Sequence, residues 1–361
     1  MKIVIDARFT RTDHHDGISR YGSSLIAATA KIADVTMLIS DTRQLALLPD
    51  VPHVLVNSPL SPMELFVARE VNKLGADVVV CPMQTMGTLG RKYGLVLTLH
   101  DLIYYEHPAP PGFLPAPVRL LWRLYHKAFW PQRVLLNRAD VVATISHTTE
   151  ALMAKYRLTR RPVRIVGNAP QPGQQPRDPE AGADKSLLYM GSFMPYKNVD
   201  TMIRGMAGLP GFTLHLLSRI TPQRRAELEA LVPAGADVRF HNGVTDGEYS
   251  DLLAKATALV SLSRAEGYGL PLVEAMALGT PVIASDIPIF REVGSDAASY
   301  VDPDSPAAFT AAVQELQGAQ FWQKRSRRSV ERAADFSWED SARQLLAVAE
   351  EVVALRGRKR R

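Results

Sequence analysis

At 361 residues the chain exceeds one ordinary core and suits two domains. Hydrophobic residues make up 46% and charged residues 22%, a globular composition that excludes a disordered chain. A net charge of +5 suits anionic ligands or an anionic membrane surface, and nothing in its distribution points to nucleic acid.

The N-terminus, MKIVIDARF, has no long apolar region and no small-residue cleavage site, so it does not read as a signal peptide. No apolar run is long enough to cross a bilayer. The single cysteine, Cys81, excludes an internal disulfide and a cysteine-based zinc site. A cytoplasmic protein is expected.

KIVID opens the chain as a buried strand, and VTMLIS, ADVVVC, LVLTLHD, ADVVATIS and VRIVGN repeat the pattern. Amphipathic segments such as SPMELFVAREVNKLG and SHTTEALMAKY lie between them, and this alternation predicts βαβ units in a parallel sheet. After the first strand, Gly17 is placed to open a helix, whose free N–H groups would suit an anion. His14 and His15 precede it, but adjacent histidines rarely share one metal, and no metal site is expected. His100 and Asp101 fall at the C-terminal end of a strand, the end at which open parallel sheets bind ligands.

The segment FLPAPVRLLWRLYHKAFWPQRVLLNRAD is helical in pattern. It sets Arg119, Arg123, Lys127 and Arg133 among Trp122, Tyr125, Phe129 and Trp130. A basic aromatic helix of this kind suits a membrane surface, and equally a helix packed on its own sheet with arginines lying over apolar surface.

NAPQPGQQPRDPEAGADKS reads as a linker. Alternation then restarts with SLLYMGS, FTLHLLS, DVRFHNG, TALVSLS, TPVIAS and ASYVD. The expected domains are 1–170, a linker over 171–184, a second domain over 185–335, and a C-terminal helix with a basic tail over 336–361. Ser337 is placed to cap that last helix, with Asp340 three positions on, and its apolar face is expected to pack against the first domain.

EGYGLPLVEAMALGTPVIAS holds the sharpest signal. Pro271 marks a helix start and Gly279 its end. Gly267 and Gly269 let the backbone turn tightly and approach a ligand, and the N–H groups from Leu270 and beyond offer a seat for a phosphate or diphosphate. Glu266 and Glu274 flank this turn, and ionised carboxylates accept hydrogen bonds from donors such as sugar hydroxyls. Glutamates near a helix start are also favoured by the macrodipole alone, so it is the whole arrangement that points to a ligand.

This stretch resembles the E-x7-E signature of retaining glycosyltransferases of family four, which have the GT-B fold: two doubly wound Rossmann-like α/β domains facing across a cleft, with a C-terminal helix crossing back to the first domain. The resemblance implies a hexosyltransferase that uses a nucleotide-diphosphate sugar and needs no metal. It assigns Glu266 to the donor sugar and Glu274 to the ribose hydroxyls. His100 matches the family's strand-end histidine beside the transferred sugar, so Glu266 and His100 are the expected catalytic pair. Gly17 lies in GISRYG, similar to the family's G-x-x-R-Y element. Ser146 and Asn168 match strand ends that line the same cleft, and Asn242, Gly243 and Val244 match the segment that holds the base.

Lys197 matches the family's diphosphate lysine. The arginine usual in that loop is missing: Tyr196 precedes the lysine and Ser192 follows the glycine. Neutralisation would then lean on backbone N–H groups, on Arg264 or on Arg219. IDAR, GISRYG and LHDLIYYEHP resemble mannosyltransferases, which favours GDP-mannose over UDP- or ADP-linked hexoses. A UDP-sugar 2-epimerase of the same fold and a non-catalytic scaffold are the rival readings. If Arg119, Trp122, Arg123, Lys127 and Trp130 do meet membrane, the acceptor is a glycan or lipid-linked hydroxyl and the protein is peripheral at the inner membrane face.

Overall fold

A computed structural model describes residues 1–108, 110 and 116–360. The chain divides into two compact units. One is Met1–Asn168 together with Ser337–Arg361, and the other is Ala169–Phe336.

In the first unit seven strands form one parallel sheet. They are β1 (Ile3–Asp6), β2 (Val35–Ile39), β3 (His53–Leu55), β4 (Val78–Cys81), β5 (Gly94–Leu99), β6 (Val141–Thr144) and β7 (Val163–Ile165), in the order β3-β2-β1-β4-β5-β6-β7. β1, β2, β4, β5 and β6 are buried along their whole length, which is why they read as unbroken apolar runs rather than alternating ones. β3 is a three-residue edge strand with His53 and Leu55 exposed, too short and too polar to signal itself. Val4, Leu38, Val79, Leu97, Val142 and Leu158 centre this unit's core.

Beyond β1, the Arg8 guanidinium grips both oxygens of Asp6 at 2.8 Å and reaches Glu64 at 2.6 Å. Glu64 also accepts the Gly87 N–H at 2.9 Å. The conspicuous IDAR stretch therefore builds a buried ionic staple that ties two loops to β1. A buried charge is tolerated only when paired in this way.

The C-terminal helix Trp338–Arg360 belongs to this unit. Ser337 Oγ accepts the Asp340 N–H at 3.0 Å and caps the helix start. Its Ala342, Leu345, Ala349 and Val352 are fully buried. It lies on the helix Gly17–Ala30 and on β5, where a Cβ at Gly94 would come within 2.2 Å of Val352 Cγ1. Gly94 is thus the gap into which the helix fits.

In the second unit β8 (Asp184–Tyr189), β9 (Thr213–Leu216), β10 (Asp237–Phe240), β11 (Ala256–Ser261), β12 (Val282–Ser285) and β13 (Ala298–Val301) form a parallel sheet in the order β10-β9-β8-β11-β12-β13. Leu187, Met202, Leu214, Val260, Phe309 and Trp322 centre its core. Residues 171–184, expected to be a linker with little to pack, hold to this unit: Arg177 donates to Ala256 O at 2.9 Å and lies over the Trp322 ring at 4.7 Å, and Glu180 accepts from Gln323 at 2.7 Å and pairs with Arg327 at 2.5 Å.

In both sheets the chain reverses its winding direction between two central strands, β1 and β4 in the first unit and β8 and β11 in the second. Loops beyond the C-terminal ends of such strands form the crevice where open α/β sheets take their ligands.

Candidate active site

Four loops matter in the second unit. The loop after β8 carries Lys197, and the loop after β11 carries Glu266. Their side chains form an ion pair, and both are largely buried, at 13% and 15% exposure. Ser263, three residues ahead of the glutamate, donates to the same Glu266 oxygen at 2.9 Å. Beneath them Tyr189 is fully buried. Its hydroxyl donates to Ser192 O at 2.6 Å, and burial together with the Glu266 charge raises its pKa well above the ordinary value. A Cβ at Gly191 would stand 2.7 Å from that hydroxyl, so glycine is required for the tyrosine to fold back under the loop.

The helix foreseen behind Glu266 runs Leu270–Ala277, with Pro271 in its first turn. Gly269 caps its start at φ +100°, and Gly279 follows its end at φ +74°. Gly269 is needed twice over: its backbone is left-handed, and a Cβ would meet the Phe290 ring at 2.9 Å. No side chain caps the N-terminus; Pro271 has no N–H and the Leu272 N–H donates to Gly269 O at 2.9 Å, which leaves the Leu270 N–H for a ligand. Glu274 sits in the second turn and is buried.

Arg264 is held by protein partners in this arrangement. Its guanidinium is bound to Asp304 and donates to Pro195 O at 3.3 Å, while its N–H reaches Tyr196 O at 2.8 Å. It fastens the β8 loop to the β11 loop and thereby fixes the distance between Lys197 and Glu266. Asn242, at φ +58°, and Gly243, at φ +107°, turn the chain sharply after β10. The Asn242 side chain accepts the Ile220 N–H at 3.1 Å, and Gly243 N–H reaches Leu217 O at 2.9 Å. The expected base-holding segment is therefore bound to the loop after β9. Val244 follows, and Thr245 caps the helix Asp246–Lys255 with a reciprocal Glu248 contact.

In the first unit, the helix Gly17–Ala30 is capped by Asp16, which accepts the Ser19 N–H at 2.9 Å. A Cβ at Gly17 would meet nothing within 4 Å, so local packing does not demand glycine there. Tyr21, one turn on, presents its ring to His100 edge to face, with centroids 5.1 Å apart. Its hydroxyl donates to Val166 O at 3.2 Å, just ahead of buried Asn168. His100 Nε2 donates to Pro82 O at 2.7 Å, which leaves Nδ1 as the acceptor nitrogen, and burial holds the imidazole below its ordinary pKa. Tyr21, which the sequence reading passed over, thus ties the helix that Gly17 opens to His100 and to Val166, two residues ahead of Asn168. Ser146 is buried and caps the helix His147–Lys155 by accepting the Thr149 N–H at 3.1 Å. Asp101 accepts the Ile103 N–H at 3.0 Å and orients its own loop.

The basic aromatic segment divides into two helices, Ala116–Tyr125 and Trp130–Leu136. Its residues 113–115 lie outside the described ones. Trp122 turns onto Tyr104 and His126, with centroids 4.9 and 4.6 Å away. Leu120, Leu121, Leu124 and Trp130 are 59%, 65%, 53% and 65% exposed. Arg123 and Lys127 are exposed and Arg119 is half-buried.

Known proteins are similar over most of the chain. The family model described as Glycosyltransferase Family 4 matches residues 27–170, and that described as Glycosyl transferases group 1 matches residues 173–335. O-antigen chain mannosyltransferase RfbU of Salmonella typhimurium is 26% identical over 83% of this chain and 87% of its own length. O-antigen chain mannosyltransferase B of Escherichia coli is 32% identical over 44% of each chain. Among solved structures, sucrose-phosphate synthase from Thermosynechococcus elongatus superposes with a TM-score of 0.74 at 21% identity, over 98% of this chain and 99% of its own. HepE from Anabaena, solved with UDP and glucose, gives 0.74 at 16% identity, over 97% and 100%.

Proposed function

The chain belongs to the family-four glycosyltransferases of GT-B fold and is a hexosyltransferase, and from that premise we propose that it transfers mannose from GDP-mannose, with retention of anomeric configuration, to a hydroxyl of a glycan or lipid-linked acceptor. The observation behind this reading is the Lys197–Glu266 pair at the strand reversal of the second sheet, next to the uncapped start of the helix Leu270–Ala277. A cation, a backbone donor and a carboxylate there answer the three parts of a sugar diphosphate: its charge, its oxygens and its hydroxyls.

In this scheme the diphosphate takes the Leu270 N–H, at the helix start marked by Pro271, together with Lys197. Gly267 and Gly269 let it approach, Glu266 orients the transferred sugar, and Glu274 takes the ribose. Asn242, Gly243 and Val244 hold the base. His100 positions the sugar in its neutral form, and Gly17 leaves room for the sugar or its phosphate. Ser146 and Asn168 hold backbone at strand ends of the first unit. Preorganised donors stabilise the leaving diphosphate without reorganising, so catalysis is electrostatic and positional. Mannose is supported by the relatives' names, and GDP by the likeness of IDAR, GISRYG and LHDLIYYEHP to mannosyltransferases.

The exposed apolar face with Arg119, Arg123 and Lys127 beside it supports contact with an anionic membrane surface, at the inner membrane face, where a lipid-linked acceptor would be presented. Among the described residues no helix is long and apolar enough to cross a membrane.

Incubation with GDP-mannose labelled in the sugar, with and without a membrane extract, tests the assignment. Label moving into the extract supports it. Conversion of the sugar with donor alone would make the protein an epimerase, and no chemistry at all would make it a scaffold.

A further inference from the structure

Resting on this reading of the donor site, we infer that Arg219 supplies the second positive charge for the donor diphosphate, in place of the arginine that the β8 loop lacks.

Several cations near this edge of the second sheet already have protein partners. Lys197 is paired with Glu266, and Arg264 with Asp304. Arg224, on the following helix, is paired with Asp200 and Glu227. Arg219 is exposed and, among the described residues, makes no ion pair or side-chain hydrogen bond. It stands in the loop after β9, the strand beside β8. Its neighbour Ser218 accepts the Gly191 N–H at 3.0 Å, which draws the β9 loop against the loop that carries Ser192 and Lys197. Neighbouring strands lie about 4.8 Å apart, so a side chain one residue beyond Ser218 stands at the same C-terminal edge of the sheet as the loop that carries Lys197.

The Arg219 stem is also held in place. A Cβ at Gly243 would meet Arg219 Cγ at 3.1 Å and Nε at 3.5 Å, so the arginine lies along the glycine of the base-holding turn. One stretch of chain thereby links the base end of the donor to its phosphate end. A guanidinium suits this work, because its planar fork matches phosphate oxygens two at a time.

The test is equilibrium binding of GDP and GMP, with UDP and UMP alongside, to the parent chain and to Arg219→Ala, Arg219→Lys and Gly243→Ala. Arg219→Ala should weaken the diphosphate by about tenfold or more and leave the monophosphate within about twofold, with Arg219→Lys in between. Gly243→Ala should weaken both, because it disturbs the base turn as well as the arginine. Equal losses for diphosphate and monophosphate, or no loss in Arg219→Ala, would overturn the assignment while the donor site stands. If the parent chain binds no nucleoside diphosphate, the donor site itself is wrong and the role of Arg219 goes with it.

Discussion

Lys197 and Glu266 lie 69 positions apart in sequence and meet as a largely buried ion pair between the loops after β8 and β11. The pair places a phosphate-seeking cation directly against the carboxylate assigned to the sugar. On the proposed reading, a donor diphosphate entering here would compete with Glu266 for the lysine and release the glutamate towards the sugar. Glu266→Ala should therefore lower mannose transfer by at least about 10²-fold while GDP binding is kept or tightened. Lys197→Ala should weaken GDP by about ten- to a hundredfold. Titration calorimetry with each variant, beside the labelled-transfer assay, separates the two roles. Loss of GDP binding in Glu266→Ala would mean that the pair holds the fold of the loop rather than the ligand.

The glycines ahead of the two helices should respond differently to alanine. At Gly269 the left-handed backbone and the Phe290 ring both resist a side chain, so Gly269→Ala should cost about 1–3 kcal/mol of stability. Gly17 faces open space, so Gly17→Ala should melt at or slightly above the parent temperature. If Gly17→Ala nevertheless loses transfer, the space it fills is space the donor needs. Thermal melting and initial rates on both variants give the comparison, and retained activity in Gly17→Ala would remove that helix start from the site.

His100 gives a pH signature. Burial depresses its folded pKa below the ordinary value of about 6.5. Above that value both folded and unfolded forms are neutral and the group costs nothing. As pH falls through about 6.5 the unfolded chain takes up the proton first, and stability is lost until the folded pKa is reached. His126, His215 and His241 are depressed by burial in the same direction, so the parent slope is a sum over several groups. His100→Gln should flatten part of the slope between about pH 5 and 7. Melting temperature against pH for the two chains reads this difference directly, and superimposable profiles would show that His100 does not titrate as its burial requires.

The exposed face of the helices Ala116–Tyr125 and Trp130–Leu136 should hold the protein to anionic vesicles. Replacing Leu121 and Trp130 by glutamate removes two apolar side chains and adds repulsion. Burying each such side chain contributes about 1.5–3 kcal/mol, so co-flotation should fall by at least about tenfold. Unchanged flotation, or none in the parent chain, would favour a face that is simply exposed.

Much of this was legible in the sequence, and what was missed has physical reasons. Strands buried on both faces, such as Val78–Cys81, announce themselves as apolar runs. The helix Leu270–Ala277 was bounded by Pro271 and Gly279, because each residue fits only one end of a helix. β3 was not readable, since a short edge strand buries too little to need an apolar pattern. Within the site, residue types were legible and pairings were not. Arg264 and Arg219 looked equally suited to phosphate, and only the fold shows one bound to Asp304 and the other, among the described residues, without an ion pair. Tyr21 was passed over because aromatic side chains usually fill cores, and nothing local reveals that its ring meets a histidine 79 positions away.

The central claim is a GDP-mannose site on the second unit, and a thermal-shift panel of GDP, UDP, ADP and their sugar conjugates tests it most directly. A ligand that binds only the folded state stabilises it by about 2.7 kcal/mol at a hundred times its Kd. GDP and GDP-mannose should raise the melting temperature most, with the rise reduced in Lys197→Ala. A larger rise with UDP or ADP conjugates would contradict the donor assignment, and no rise with any of them would contradict the site.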